Sequence, residues 1–184
     1  MTKLILKIIP FLAVVFIATQ SYAQKISSKT SNISFYSHTA VEDIKANNNA
    51  SVSVLDPTTG DVVFSVPMQS FEFEKALMQK HFNSPDFLDT KNEPKAKLVG
   101  KITNLSQVNF KKDGTYTADV SGEMTIKGVT KPFTAKATIT AKGSSINVES
   151  KFDITLEDYG IAFKKGKPST NIAKSIQATV LAEY

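Results

Sequence analysis

The residues that decide the fold are Phe133-Thr134-Ala135-Lys136-Ala137-Thr138-Ile139-Thr140-Ala141-Lys142. Apolar residues alternate in this stretch with threonine and lysine. Because successive side chains of a β-strand point to opposite faces, the pattern predicts a strand with one apolar and one hydrated face. The turn residues Lys142-Gly143-Ser144-Ser145 follow, and a second alternating run extends from Ile146 to Leu156. Together the two runs predict a long antiparallel hairpin.

Shorter alternating runs continue the same pattern over most of the chain. Apolar residues recur at every second position around residues 33–35, 62–66, 96–102, 116–126 and 176–180. We count eight or more strands, and strands with one apolar face must close or pair to bury that face and their edges. The sequence therefore predicts one all-β domain, a barrel or a sandwich, without repeats or a second domain.

One aromatic segment breaks the alternation. The pairs Phe73/Leu77 and Met78/Phe82 are each four residues apart, which is the spacing of neighbours on one face of a helix. A helix of two or three turns is therefore predicted here. We expect a short helical insertion around residues 71–89 that plugs or covers the barrel.

Residues 1–23 have the features of a cleavable signal peptide. Lys3 and Lys7 supply positive charge, an apolar run of about a dozen residues follows, and Ser21-Tyr22-Ala23 places small residues where a signal peptidase cuts. A spanning helix needs roughly 20 apolar residues, so the run predicts export rather than anchoring. The chain has no cysteine to which a lipid anchor is attached. We expect a released domain, residues 24–184, in the periplasm or outside the cell.

Composition argues against several classes of function. The chain has no cysteine, arginine or tryptophan, and its formal net charge of +5 comes from scattered lysines. Thiol chemistry is thereby excluded, and nucleic-acid recognition, which prefers arginine, is disfavoured. His38 and His81 are the only histidines, no nucleophile or metal motif accompanies them, and two ligands do not make a zinc site. We predict a protein without enzymatic activity, cofactor or metal, with a hydrolase using His38 as an open alternative.

The chain contains 12 phenylalanines, and these are the residues most informative about its function. Eight-stranded barrels have interiors just wide enough for side chains or one small ligand, so an unfilled aromatic interior predicts a tunnel for an acyl or isoprenoid chain. The predicted tunnel residues are Phe35, Phe64, Phe71, Phe73, Leu77, Met78, Phe82, Phe87, Phe152, Ile154 and Phe163. His38, Lys164 and Lys165 are the predicted headgroup contacts, and the lysine-rich loop 163–168 is predicted to touch a membrane transiently. An ordinary, filled core is the alternative interpretation.

Several segments match one known family pattern in the same order along the chain. Asn32-Ile33-Ser34-Phe35, followed by His38, matches its first strand, and Ala76–Phe82 matches its central helix. Gly122-Glu123-Met124-Thr125-Ile126-Lys127-Gly128-Val129-Thr130-Lys131-Pro132-Phe133 is the most specific match, to the pattern G-x-L-T-x-x-G-V-T-K-P. Asp158-Tyr159-Gly160-Ile161 matches its D-F-G-L segment. The chain therefore resembles the YceI-like family of exported lipid- or polyisoprenoid-binding proteins.

The resemblance implies a lipocalin-like, extended eight-stranded antiparallel barrel that holds an isoprenoid, quinone or fatty-acid-like chain. This chain departs from the family by lacking the arginine before the D-F-G-L segment, by having Glu93 at an aromatic position, and by having Glu42–Asn48 in place of a glycine-rich second strand. The hypothesis that follows is a soluble carrier of a long-chain lipid or polyisoprenoid. A protein-interaction or structural domain with a filled core is the alternative, and exposed strand edges would allow a homodimer.

Overall fold

The computed structural model describes residues 25–161, 163–164, 167–168 and 171–184, and it describes residues 163–164 and 167–168 by their backbone alone. The predicted signal peptide, residues 1–23, lies outside the described residues. The described part of the chain contains thirteen strands, one α-helix and three short 3-10 turns. The strands are β1 (Ile26–Ser27), β2 (Thr30–His38), β3 (Asp43–Asn48), β4 (Val52–Leu55), β5 (Asp61–Pro67), β6 (Glu72–Phe73), β7 (Lys95–Ile102), β8 (Gly114–Ile126), β9 (Val129–Lys142), β10 (Ser145–Thr155), β11 (Phe163–Lys164), β12 (Lys167–Pro168) and β13 (Ser175–Glu183). The helix α1 spans Ala76–Asn83, and the 3-10 turns span Met68–Ser70, Leu105–Gln107 and Leu156–Tyr159.

Eleven of these strands form one antiparallel sheet in the order β1-β4-β5-β7-β8-β9-β10-β13-β2-β3-β6, and β11 and β12 pair separately. Eight strands of the large sheet have six or more residues, and the other three have two to four. The predicted all-β class is therefore confirmed. The eight longer strands agree with the eight or more that the sequence predicts, and β1, β4, β6, β11 and β12, of two to four residues each, are too short to show an alternating pattern in the sequence.

The hairpin predicted from residues 133–156 is confirmed. β9 and β10 pair antiparallel with Lys142 opposite Ser145. Gly143 in the turn between them has a φ of +57°, a conformation that glycine adopts without steric cost. The apolar face of β9 points inward, and Ile139 on this face is 1% exposed. The alternation read from the sequence therefore sets which face of this hairpin is buried.

The segment Gly122–Phe133 forms a second hairpin. β8 and β9 pair antiparallel with Ile126 opposite Val129. The two turn residues between them, Lys127 and Gly128, have φ values of +50° and +72°. Positive φ at both central positions is typical of a type I′ turn, whose twist matches the twist of the flanking strands. The segment that carries the family resemblance therefore fixes the register of the two longest strands.

β7 and β8 approach each other closely where Gly100 lies opposite Gly122. A Cβ atom on Gly122 would overlap the carbonyl oxygen of Val99. A glycine inside a strand is expected where another backbone comes this near. Gly122 is thus required by space, since β7 occupies the volume that a side chain would need.

Two consecutive residues join the flanks of the curled sheet. The backbone amide of Ser28 donates to the carbonyl of Ser53 in β4 at 2.8 Å, and the amide of Lys29 donates to the carbonyl of Glu183 in β13 at 2.6 Å. β4 and β13 belong to opposite flanks of the sheet order, so the short link between β1 and β2 brings them together. We call this junction the seam.

A buried side chain links β3 to β5. Nδ2 of Asn48, at the end of β3, donates to the carbonyl of Pro67 at the end of β5 at 2.7 Å. Its Oδ1 accepts from the amide of Ala50 and the hydroxyl of Ser51, both at 3.0 Å. Asn48 is 0% exposed, and these partners satisfy its amide group.

The predicted helix is present with about two turns, but it begins after Phe73. α1 begins at Ala76, while Phe73 lies in β6 and pairs with Ala46 of β3. Because Phe73 belongs to the strand ladder and Lys75 has an extended backbone, the helix cannot include them. Phe82 is the buried residue of α1, so the helix packs onto the sheet mainly through one aromatic side chain.

Candidate functional site

The curled sheet encloses an apolar cavity of about 370 Å³. This volume lies within the range of small-ligand sites. The cavity is lined by members of two buried clusters. Leu55 and Ile139 belong to the cluster at the seam, and Phe71 and Phe82 belong to the cluster beneath α1. The two ends of the cavity are therefore formed by different clusters, one at the seam and one beneath α1.

Phenylalanines crowd the end of the cavity beneath α1. Phe82 of α1 packs against Phe35, Phe71, Phe73 and Phe87, with ring centroids 5.0 to 6.5 Å apart. Offset and edge-to-face pairs of this kind each contribute about 0.5–1.5 kcal/mol beyond the burial of their area. One side chain of α1 thus holds the helix across this end of the cavity.

The cavity opens to solvent beside α1. His81 of α1 and Asn171 both line the cavity and are exposed, so the opening, which we call the mouth, lies between the helix and the segment that precedes β13. Glu42, in the turn between β2 and β3, also lines the cavity. Lys75 Nζ donates to Glu42 Oε1 at 3.0 Å, and this ion pair ties the start of α1 to that turn. The mouth therefore combines an aromatic wall with a few polar side chains.

The opposite end is closed by Tyr184. Its hydroxyl lies 2.7 Å from Oγ of Ser53, and the two residues are 5% and 1% exposed. Burial raises the pKa of the Tyr184 phenol, and the hydrogen bond with Ser53 offsets part of that rise. Because the two hydroxyls are partnered with each other, the closed end presents an apolar floor.

Nine of the eleven predicted tunnel residues line the cavity. They are Phe35, Phe64, Phe71, Phe73, Met78, Phe82, Phe87, Phe152 and Ile154. The prediction for Leu77 is wrong, since this residue does not line the cavity and is 63% exposed. Leu77 precedes Phe82 by five residues and therefore points about 140° away from it around the helix. The side chain of Phe163 is not among those that the structure describes.

His38 lies on the outer face of β2. Its inward neighbour Ser37 is 1% exposed and lines the cavity, whereas the His38 side chain is 68% exposed and does not. His38 Nδ1 lies 2.6 Å from Asp43 Oδ1, and its ring stacks on Tyr36. The hydrogen bond from His38 holds the pKa of Asp43 below its usual range. This position contradicts the predicted headgroup role of His38, because strand alternation directs it away from the cavity.

The remaining predicted headgroup contacts are not tested by the structure. Lys164 belongs to β11, and its side chain is not described. Lys165 lies outside the described residues. Their role, and the membrane contact of the loop 163–168, therefore remain predictions.

Sequence reasoning missed three residues at the mouth, Glu42, His81 and Asn171. A signal for His81 was present, since Met78, His81 and Phe82 have the i, i+3, i+4 spacing of one helix face. All three line the cavity. No comparable signal marks Glu42, because its place depends on how the turn after β2 folds back towards α1.

The described residues contain neither a candidate metal cluster nor a helix suited to span a membrane. In residues 25–161 and 171–184, no group of three or more His, Cys, Asp or Glu side chains is placed to hold a metal ion. No helix of the described chain has the length and apolar character needed to cross a membrane.

Comparison with protein families matches residues 24–184 to the family described as the YceI-like domain. A UPF0312 protein of Pseudomonas fluorescens strain Pf-5 is 32% identical over 122 residues, which are 63% of this chain and 61% of that protein. A UPF0312 protein of Pseudomonas putida strain W619 is 32% identical over 130 residues, which are 67% of this chain and 62% of that protein. The match thus spans 61–62% of the length of these two relatives.

Solved structures share the fold at lower sequence identity. BcnA of Burkholderia cenocepacia superposes with a TM-score of 0.70 and 18% identity, covering 84% of this chain and 96% of BcnA. A polyisoprenoid binding domain from Saccharophagus degradans, implicated in plant cell wall breakdown, superposes with a TM-score of 0.72 and 13% identity, covering 86% of this chain and 96% of that domain. At these identities the likeness shows a common fold.

Proposed function

This chain belongs to the YceI-like domain family, and we propose that it binds a long-chain amphiphile, such as a polyisoprenoid, a quinone or a fatty-acid-like lipid, with the tail inside the cavity. The observation that carries the proposal is the apolar cavity of about 370 Å³. Apolar cavities stay free of water and take up apolar groups of matching size. The Saccharophagus degradans domain of the same fold is described as polyisoprenoid binding, which supports a ligand of this class.

The two ends of the cavity support one orientation of the ligand. The floor at Tyr184 is apolar and closed, which suits the end of a hydrocarbon tail. The mouth is lined by Glu42 and His81, and these two side chains provide a hydrogen-bond acceptor and an imidazole. The ligand therefore enters tail first and leaves a hydroxyl- or carbonyl-bearing headgroup at the mouth.

A binding function is also favoured over the alternatives. A structural or protein-interaction domain with a filled core would not contain an unfilled cavity of this size. A hydrolase that uses His38 would have to act on the outer face of β2, where the His38–Asp43 pair is separated from the cavity. We therefore propose a carrier without enzymatic activity.

The proposed carrier acts outside the cytoplasm. Removal of residues 1–23 would release residues 24–184 into the periplasm or the medium, where a water-insoluble chain needs a protein to shield it. N-terminal sequencing of the protein recovered from the exported fraction tests this step. We expect the first residue to be Gln24, and a chain that retains Met1 would contradict the proposed cleavage.

Native mass spectrometry tests ligand binding directly. The protein is purified from a bacterial host without detergent, and its mass is compared before and after extraction with organic solvent. We expect a bound species that extraction removes and that a bacterial lipid extract restores. A protein that is recovered empty, and that takes up no lipid at micromolar concentration, would rule out the proposed function.

A further inference from the structure

Two facing alanines create the space in the deeper half of the cavity. Ala118 of β8 lies directly opposite Ala137 of β9 in the strand register. They are 0% and 6% exposed, and both line the cavity. On the neighbouring inward positions of the two strands, Val120 lies opposite Ala135 and Ile139 lies opposite Tyr116, so each of these pairs contains at least one larger side chain. The wall at this pair therefore carries no side chain larger than a methyl group.

A similar arrangement of large and small residues recurs on β13, two strands from β9 in the sheet order. Ala178 of β13 is 3% exposed and lies between two phenylalanines in the register, Phe152 of β10 and Phe35 of β2. Phe152 also packs edge-to-face against Phe133 of β9 with ring centroids 4.8 Å apart. Close packing against neighbouring side chains holds these rings in place. The size of the residues at the alanine positions therefore determines the free volume of the cavity.

The volume of the cavity limits the length of the chain that it holds. A buried apolar cavity of about 150 Å³ accepts one benzene molecule, which has six carbon atoms. By the same ratio, the 370 Å³ cavity holds about 15 carbon atoms. This corresponds to three isoprene units or to an acyl chain of moderate length.

We infer that the site takes a single chain of about 15 carbon atoms, with Ala118 and Ala137 setting the limit. The inference rests on the proposed function and makes its substrate class narrower. Carbon atoms beyond the limit remain at the mouth, where they gain little burial. The affinity of a ligand series should therefore rise with chain length only up to a limiting length. We call this length the break.

Straight-chain primary alcohols of increasing length are the probe. The exported protein, freed of bound lipid, is titrated with each alcohol by isothermal calorimetry. Each buried methylene group should increase the affinity about fourfold. The break should fall near about 15 carbon atoms, after which the affinity levels off.

Substitution of the alanine pair should move the break. Leucine adds about three carbon atoms to each site, so Ala137→Leu or Ala118→Leu should shift the break to about 12 carbon atoms. Thr138→Leu is the matched control, because Thr138 is the next residue of β9 and lies on its exposed outer face. The control should keep the wild-type break. If a leucine variant fails to show a cooperative melt, Ala137→Val, which adds about two carbon atoms, takes its place.

The outcomes separate the inference from the function on which it rests. A break that shortens in Ala137→Leu or Ala137→Val, and stays in place in Thr138→Leu, supports both. An affinity that keeps rising well beyond the expected length, or a break that the alanine substitutions leave unmoved, overturns the inference while the protein remains a lipid binder. A wild-type protein that binds no alcohol of any length, and no lipid by mass spectrometry, overturns the proposed function itself.

Discussion

The hydroxyl groups of Ser53 and Tyr184 lie 2.7 Å apart and join the two flanks of the sheet at the floor of the cavity. Ser53 belongs to β4, and Tyr184 follows β13. The backbone hydrogen bonds of Ser28 and Lys29 close the seam between the same two strands. The floor of the candidate binding site and the seam that closes the sheet are therefore one structure, so changes at this end should affect folding as well as binding.

Removing either hydroxyl should destabilise the protein. Tyr184→Phe leaves Ser53 Oγ buried without this partner, and Ser53→Ala does the same to the tyrosine, so each should lower the free energy of unfolding by about 1–3 kcal/mol. The double variant replaces both partners by apolar groups and should lose less than the sum of the single losses. Urea denaturation of the four proteins in this cycle measures the coupling. Strictly additive losses would show that the two hydroxyls do not stabilise each other.

The same phenol should make the protein sensitive to alkaline pH. Burial raises the pKa of Tyr184 above its usual value of 10.0, so the folded state favours the neutral phenol. Above about pH 10 the unfolded chain loses this proton first, and the free energy of unfolding should fall by up to about 1.4 kcal/mol per pH unit. Tyr184→Phe removes this contribution, so its stability should decline less steeply between pH 9 and 11 than that of the wild type. Equal slopes for the two proteins would contradict the assignment.

The sequence predicted what strand alternation controls and missed what depends on how distant segments meet. The inward face of β9 and the tunnel positions on β2, β5 and β10 follow from alternation, because the side-chain period of a strand is fixed by its backbone. His38, a predicted headgroup contact, points outward for the same reason, since its neighbour Ser37 occupies the inward position. Applying the period of two to the whole of β2 would have placed it correctly.

The residues that line the mouth could not be predicted from local sequence patterns alone. Phe73 and Leu77 have helical spacing, but Phe73 pairs with Ala46 in the sheet, and the helix begins after it. This tertiary pairing overrides the local helical preference of Phe73. Glu42 reaches the mouth through its ion pair with Lys75, 33 residues along the chain, which no periodicity predicts.

Phe82 and Leu77 of α1 should respond very differently to truncation. Phe82 is 6% exposed and packs against the phenylalanines of the mouth, so Phe82→Ala should cost about 3–5 kcal/mol if the helix stays docked, and less if it detaches. Leu77 is 63% exposed, so Leu77→Ala on the same helix should change stability by less than about 0.5 kcal/mol. Thermal and urea unfolding measure both. A large loss in Leu77→Ala would mean that this face of α1 is covered.

Gly122 and Gly143 should tolerate alanine to different extents. A Cβ on Gly122 would overlap the Val99 carbonyl oxygen, so Gly122→Ala must push β7 and β8 apart and should cost at least about 2 kcal/mol. Gly143 has a φ of +57° and nothing within 4 Å of an added Cβ, so Gly143→Ala should cost only the conformational penalty of about 1 kcal/mol. Denaturant midpoints of the two variants give the comparison. Equal losses would show that the close approach of β7 to β8 is not what requires a glycine.

The ion pair between Glu42 and Lys75 should control ligand exchange more than stability. Lys75 is largely exposed, so Lys75→Ala should change the free energy of unfolding by about 1 kcal/mol or less. The backbone start of α1 has no side-chain cap, and this pair ties it to the turn beside the mouth. Loosening it should let α1 move away more often, so a bound alcohol should dissociate several-fold faster. Stopped-flow displacement by a competing ligand measures the dissociation rate.

The charge-swapped variant Glu42→Lys/Lys75→Glu restores an ion pair and should return the dissociation rate towards the wild-type value. Lys75→Glu alone should release the ligand fastest of the set. A swapped variant that remains as fast as Lys75→Glu would show that α1 is held at the mouth by Phe82 alone.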